Sequence, residues 1–197
     1  MKVLIACEFS GIVREAFKKR GHNAWSCDLL ETEIQGNHFK GNIFDILIPS
    51  EWDLIIAHPP CTALCVSGNS TYGNGKEKNY MRYESVEWTN NLWNKCINVC
   101  EKVCFENPVG VLSTFGMLPK PKYIQPYMFG HLESKKTGLF LYNLKTLEET
   151  KNVYDEMMKL QKKDREKIFY ASPGAERWKL RSRTYQGIAD AMAEQWG

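Results

Sequence analysis

Asp53-Leu54-Ile55-Ile56-Ala57-His58-Pro59-Pro60-Cys61 is a run of four apolar residues stopped by two prolines. Such a run reads as a strand buried on both faces, which proline cannot continue. The same pattern recurs at Val103-Cys104-Phe105-Glu106-Asn107-Pro108. In both, the chemically useful residues fall at the strand's carboxyl end, the edge at which open parallel sheets bind ligands. Cys61 and Glu106 are therefore candidates for a nucleophile and an acid delivered to one sheet edge.

Working outward, residues 2–6 are strand-like, and Ser10-Gly11 leads into 12–20, whose apolar residues share one helical face before Gly21 stops it. Residues 23–27 predict a second strand ending at Asp28. Residues 38–40 predict a short third strand before Gly41-Asn42, and 53–57 a fourth. A helix over 84–102 and a strand over 103–105 continue the alternation. This rhythm predicts an α/β fold, a Rossmann-like doubly wound and mostly parallel sheet, with a small C-terminal appendage. Further on, Glu133-Ser134-Lys135-Lys136 reads as a turn feeding an apolar strand over 137–142. Residues 147–167 read as a charged, helical, surface or appended element, and 188–196 as a closing helix. The segment 68–78, rich in Gly, Asn, Ser and Lys, reads as a mobile loop placed where a lid would sit, or as a plain connector.

With 197 residues, 43% of them hydrophobic, the chain is expected to form one domain over 1–197. No apolar run approaches the ~18 residues of a membrane span. Glu8 interrupts the first apolar run, which reads as a strand rather than a signal peptide, so the cytoplasm is the expected compartment. The cysteine count, seven, is odd, and Cys7, Cys27, Cys100 and Cys104 lie in apolar segments, as reduced core residues do. Cys61-x-x-x-Cys65 and Cys96-x-x-x-Cys100-x-x-x-Cys104 have helical spacing without a CxxC pair or His cluster, so no metal site is expected. The net charge of +3 is small, but basic residues cluster in 120–136 and interleave with an aromatic in Arg177-Trp178-Lys179-Leu180-Arg181-Ser182-Arg183. Such patches suit phosphate and base contacts, or form a solvated face.

In Glu8-Phe9-Ser10-Gly11 the glycine permits a tight turn and close ligand approach. Asp28, at the end of the second strand, stands where an acid can bind ribose hydroxyls. Asn42 could hydrogen-bond an adenine edge, because its amide both donates and accepts. Cys61 follows Pro-Pro, in an extended lead into a loop, and becomes a nucleophile if its pKa is lowered or a base is near. His58 and Arg82 are candidate neighbours. Burial of Glu106 would raise its pKa and let it donate a proton.

In this order the motifs of residues 1–110 resemble those of the DNA cytosine-C5 methyltransferases. Phe9-Ser10-Gly11 is similar to that family's Phe-x-Gly loop for S-adenosylmethionine, and Asp28 stands at its ribose-binding acid. Gly41-Asn42-Ile43 is similar to its Gly-Asp-Ile, Pro60-Cys61 to its Pro-Cys, and Glu106-Asn107-Pro108 to its Glu-Asn-Val. The resemblance implies a fold of the S-adenosylmethionine-dependent methyltransferase type, with Phe9, Ser10, Gly11, Asp28, Asn42 and Pro60 around the cofactor. It also implies Cys61 adding to cytosine C6, Glu106 at N3, His58 and Asn107 beside the base, and DNA as the partner, its base flipped from the stack. Thr62 replaces the family's Gln, about 90 residues follow the Glu motif, and no clear Gln-x-Arg-x-Arg is found. Arg177, Arg181 and Arg183 are the candidates for basic contacts, and 120–183 for a reduced recognition region. The chain thus looks like a compact, phage-type relative that would act in the host cytoplasm. His58-Pro59-Pro60-Cys61 is also similar to the Asp/Asn-Pro-Pro-Tyr motif of amino-group methyltransferases, which implies methylation of an exocyclic amine and no covalent intermediate. A free pyrimidine nucleotide as substrate, and a catalytically silent nucleic-acid-binding or decoy protein, are the further alternatives.

Overall fold

The computed structural model describes residues 1–172, 174 and 176–197. Its sheet has seven strands in the order β3-β2-β1-β4-β5-β7-β6. They are β1 (Lys2–Ala6), β2 (Asn23–Asp28), β3 (His38–Lys40), β4 (Leu54–Ala57), β5 (Val103–Pro108), β6 (Lys122–Ile124) and β7 (Thr137–Tyr142). The first five run parallel to one another, and β7 is antiparallel to both β5 and β6. This is the mostly parallel α/β sheet expected from the sequence.

Period-two alternation explains why the central strands are apolar throughout. Leu4, Ala6, Ile55, Ala57, Val103 and Phe105 face one core, which α3 (Asn79–Val99) covers with Val86, Leu92, Trp93, Cys96 and Val99. Val3, Ile5, Leu54, Ile56 and Cys104 face the other, covered by α1 (Ile12–Lys19) and α9 (Gln186–Trp196). The closing helix therefore completes a layer of the fold, packing on α1 through Ile188, Met192 and Trp196.

Short helices fill the connections: α2 (Asn69–Tyr72), α4 (Leu112–Phe115), α5 (Tyr154–Met158), α6 (Lys162–Arg165), α7 (Lys167–Tyr170) and α8 (Arg177–Ser182). Three expectations are corrected here. Residues 68–78 are not a featureless loop but carry α2, with Asn79 Nδ2 donating to the Tyr72 carbonyl (2.8 Å). The long helix starts at Asn79 rather than near 84; its first turn has no side-chain cap to mark it. Residues 147–167 form short helices rather than one, because Leu147, Val153 and Met157 are their only buried apolar residues and give no continuous stripe.

Arg14 organises the loop after β2. Its side chain is fully buried, and its guanidinium donates to Ser26 Oγ (2.8 Å), Thr32 Oγ1 (3.1 Å), Glu15 Oε1 (3.0 Å) and the Ile34 carbonyl. Gly11 makes room for it: φ is +75°, and a Cβ there would stand 2.8 Å from Arg14 Nη2.

Candidate active site

The strand order reverses between β1 and β4, so the connections leaving these strands diverge and leave a crevice at their carboxyl ends. A cavity of about 610 Å³ opens there, within the range of ligand pockets. Phe9, Asp28 and Leu30 line one side and His58, Pro60, Cys61 and Cys65 the other. Tyr72, Arg177, Trp178 and Arg181 close the mouth.

Register brings the candidate chemistry together. Ala57 pairs with Phe105, so His58 and Glu106 emerge side by side one residue later, and Ala6 pairs with Ala57 on the other flank. His58 Nδ1 lies 3.2 Å from Glu106 Oε2. Asn107 Nδ2 donates to the Pro59 carbonyl (2.9 Å), which fixes the His-Pro-Pro turn against β5. His58 Nε2 and Asn107 Oδ1 are buried without a protein partner, free to meet a ligand.

Cys61 opens a single helical turn in which the Cys65 amide donates to the Cys61 carbonyl (2.9 Å). Backbone bonds from Val66 to Val109 (3.0 Å) and from Val111 to Leu64 (2.9 Å) clamp this turn to the chain leaving β5. Gly110 permits that approach, since a Cβ would run into the Leu64 carbonyl oxygen. Arg82 props the turn through Nε to the Ala63 carbonyl (2.7 Å), so it supports Cys61 from behind.

The electrostatics differ from the expectation at both candidate groups. Burial is the largest influence on Glu106 and pushes its carboxyl up, but the hydrogen bond from His58 and the charge of Lys135 outweigh it and hold the carboxyl below its usual range. Glu106 is thus ionised at neutral pH rather than the acid predicted from burial alone. The neighbouring Cys65 is the largest influence on the Cys61 thiol and pushes it up, with burial next. Cys65 is lowered to about 5, chiefly by Cys61 and against the upward push of burial, with Ser67 Oγ (3.0 Å from its sulfur) and Arg181 also favouring the thiolate. The two thiols thus oppose each other, Cys61 favouring the protonated form and Cys65 the thiolate.

The other candidates fall in different places. Phe9 is buried with its ring 5.6 Å from that of Trp178, and Asp28 lies on the cavity wall, its carboxyl pushed up by burial. Ser10 turns inward, its hydroxyl donating to Glu8 Oε1 (3.2 Å). Gly11 is the left-handed cap of α1. Asn42 is exposed, and its Oδ1 accepts from the Phe44 amide (3.1 Å), capping a local turn rather than lining the cavity. Arg177 and Arg181 line the cavity mouth. Arg183 is held away from it by a two-pronged pair with Glu33 (2.7 and 2.9 Å).

Three participants were not singled out from sequence. Glu8 is buried and accepts from the Val13 (2.7 Å) and Arg14 (3.3 Å) amides; an acid directly after a buried strand was its signal. Cys65 carried a signal in its four-residue spacing from Cys61. Lys135 reaches the site from before β7, its Nζ donating to the Arg181 carbonyl (2.9 Å); its signal was the basic cluster of 120–136 in which it lies.

Among the described residues no group of His, Cys, Asp and Glu stands ready to hold a metal ion, and no helix is long and apolar enough to cross a membrane. No protein-family model and no curated protein matches the chain. Among solved structures it is similar to one described as a candidate DNA modification methyltransferase of an E. coli prophage, at 12% identity and TM-score 0.43, over 72% of this chain and 46% of that one. It is also similar to the bifunctional kinase-methyltransferase WbdD, at 12% identity and TM-score 0.45, over 74% of this chain and 35% of that one. The chain spans less than half the length of either structure. Likenesses this distant carry no argument about activity.

Proposed function

We propose that this chain is an S-adenosylmethionine-dependent methyltransferase that methylates cytosine at C5, in DNA, through a covalent bond from Cys61. The observation that supports this reading is the meeting, at adjacent strand ends and over one cavity, of a thiol pair and an imidazole–carboxylate pair. Phe9 and Asp28 stand across the same cavity, as an aromatic wall and an acid suited to a nucleoside. The cavity volume, the Phe9 and Trp178 rings on its lining and the Asp28 carboxyl fit a nucleoside-bearing cofactor, which when bound supplies an electrophilic methyl group.

Cytosine C5 is too weak a nucleophile to react unaided. Sulfur addition at C6 makes C5 enamine-like, and a proton delivered to N3 offsets the charge that develops. Cys61 would supply the sulfur as a thiolate, its proton passing to water as the bond to C6 forms. The Glu106 carboxylate sits where it could face N3, and the free amide oxygen of Asn107 could accept from the exocyclic amine. Residues 120–183 would serve as the reduced recognition region, with Arg177 and Arg181 toward phosphate.

One observation favours a second substrate. α8 roofs the cavity, tied down by Arg181 to Ser67 (3.3 Å), which suits a free pyrimidine nucleotide better than a base swung out of a duplex. Tritiated S-adenosylmethionine incubated with unmethylated duplex DNA, single-stranded DNA and free cytidine nucleotides separates the two. Cys61-dependent label at C5 in polymer supports the first, and label only in nucleotide the second. The absence of transfer to all three would contradict both.

A further inference from the structure

The proton required at N3 raises a question of supply, since Glu106 is ionised. Three adjacent strands deliver titratable groups to one line: Glu8 after β1, His58 after β4 and Glu106 at the end of β5. His58 lies between the carboxylates. Its side chain is 8% exposed, with Nδ1 on Glu106 Oε2 at 3.2 Å and Nε2 buried without a protein partner. Glu8 is fixed by the Val13 amide and the Ser10 hydroxyl; burial pushes its carboxyl up, and His58 is the largest influence opposing that. Lys135, from the segment before β7, and the Cys61–Cys65 pair are the remaining titratable groups that act on this cluster. His58 is thus placed to exchange a proton with Glu106 directly, through Nδ1.

Resting on the methyltransferase reading, we infer that His58 is the positioning residue that supplies Glu106 with its proton: the pair holds one proton on His58 Nδ1, and Glu106 relays it to cytosine N3. The step balances. The Cys61 sulfur donates an electron pair to C6, the C5–C6 π pair shifts toward N3, and N3 bonds the proton passed through Glu106. His58 Nδ1 keeps the pair that held that proton and becomes neutral. Methylation at C5 restores the C4–N3 double bond and the N3 proton returns to the pair; water then takes the C5 proton, the C5–H electrons re-form the C5–C6 double bond, and the C6–S electrons return to sulfur. An imidazolium ordinarily gives up its proton about two pH units above a carboxylic acid, so this carrier keeps the relay loaded where Glu106 alone would be empty.

His58→Gln keeps an amide donor for Glu106 but carries no titratable proton. Its kcat at about pH 7.5 should fall at least ~10-fold, and the alkaline limb of its pH–rate profile should move toward acid by about two units, so that activity recovers as pH falls. A profile that superimposes on wild type, or a loss equal at every pH, overturns the inference. Binding of S-adenosylhomocysteine by calorimetry checks that the variant is folded. A second readout needs no substrate. In carboxyl ¹³C NMR, with Glu106 assigned through Glu106→Gln, His58→Gln should raise the Glu106 titration midpoint; an unchanged midpoint refutes the pairing. If His58→Gln does not fold, the wild-type Glu106 signal should still titrate in two steps as its imidazole partner changes charge, and a single step refutes the pairing. Should no substrate be methylated, the functional reading fails while the NMR result still decides the pair.

Discussion

Replacing Arg14 by methionine should cost about 3–5 kcal/mol of stability, the range found when one partner of a buried charged network is removed. Methionine keeps the apolar fill of the arginine stem, so the loss isolates the guanidinium. Four hydrogen bonds disappear, to Ser26, Thr32, Glu15 and the Ile34 carbonyl. They do not weigh equally. Ser26 is fully buried and cannot recover its partner from water, whereas Thr32 and Glu15 are partly exposed and can. The low end of the range is therefore expected if the loop rearranges, and the high end if it does not. At about 2–4 °C per kcal/mol for a chain of this size, the melting midpoint should fall by roughly 6–20 °C. The same change should reach the site, because the loop Arg14 holds carries Leu30 to the cavity wall and Glu33 to Arg183. Calorimetric melting with S-adenosylhomocysteine titration measures both. A midpoint within about 2 °C of wild type would refute the claim that Arg14 organises this side of the site.

Other perturbations read the site more locally. In wild type, iodoacetamide at neutral pH should label Cys65 before Cys61; in Cys65→Ala, Cys61 loses the neighbour that chiefly raises its pKa and should be alkylated at least ~10-fold faster, each pKa unit being tenfold in thiolate. Peptide mapping by mass spectrometry decides it, and an unchanged Cys61 rate would contradict the pairing. The folded pKa of Glu106 is depressed, so the stability its ionisation contributes is fully present above its unfolded pKa and lost as pH falls through the depressed value. Urea midpoints of wild type and Glu106→Gln should therefore converge on acidification below about pH 4.5; a constant gap would contradict the shift. Gly11→Ala forces alanine to positive φ beside the Arg14 guanidinium and should cost about 1–3 kcal/mol in urea unfolding, with a cost near zero counting against that role.

The fold was legible where burial leaves a plain trace. β4 and β5 open as apolar runs because both their faces meet helices; Pro59 follows β4 and Pro108 closes β5. β6 left no such trace: its three residues, set in the short stretch between Pro121 and Pro126 and two of them exposed, carry neither a run nor an alternation. The positions of Cys61 and Glu106 followed from their strands, but their charge states did not. Glu106 depends on His58, 48 residues away, and on Lys135, and only strand register brings these together. Asn42 shows the converse: its side chain is spent on its own turn, a local bond that competes with any distant role.

The central claim is a covalent bond between Cys61 and cytosine C6. DNA containing 5-fluorocytosine blocks the final elimination, so the account predicts a denaturation-resistant complex that requires S-adenosylmethionine and maps by mass spectrometry to Cys61. Methyl transfer to ordinary DNA with no trapped complex, or an adduct mapped to Cys65, would contradict it.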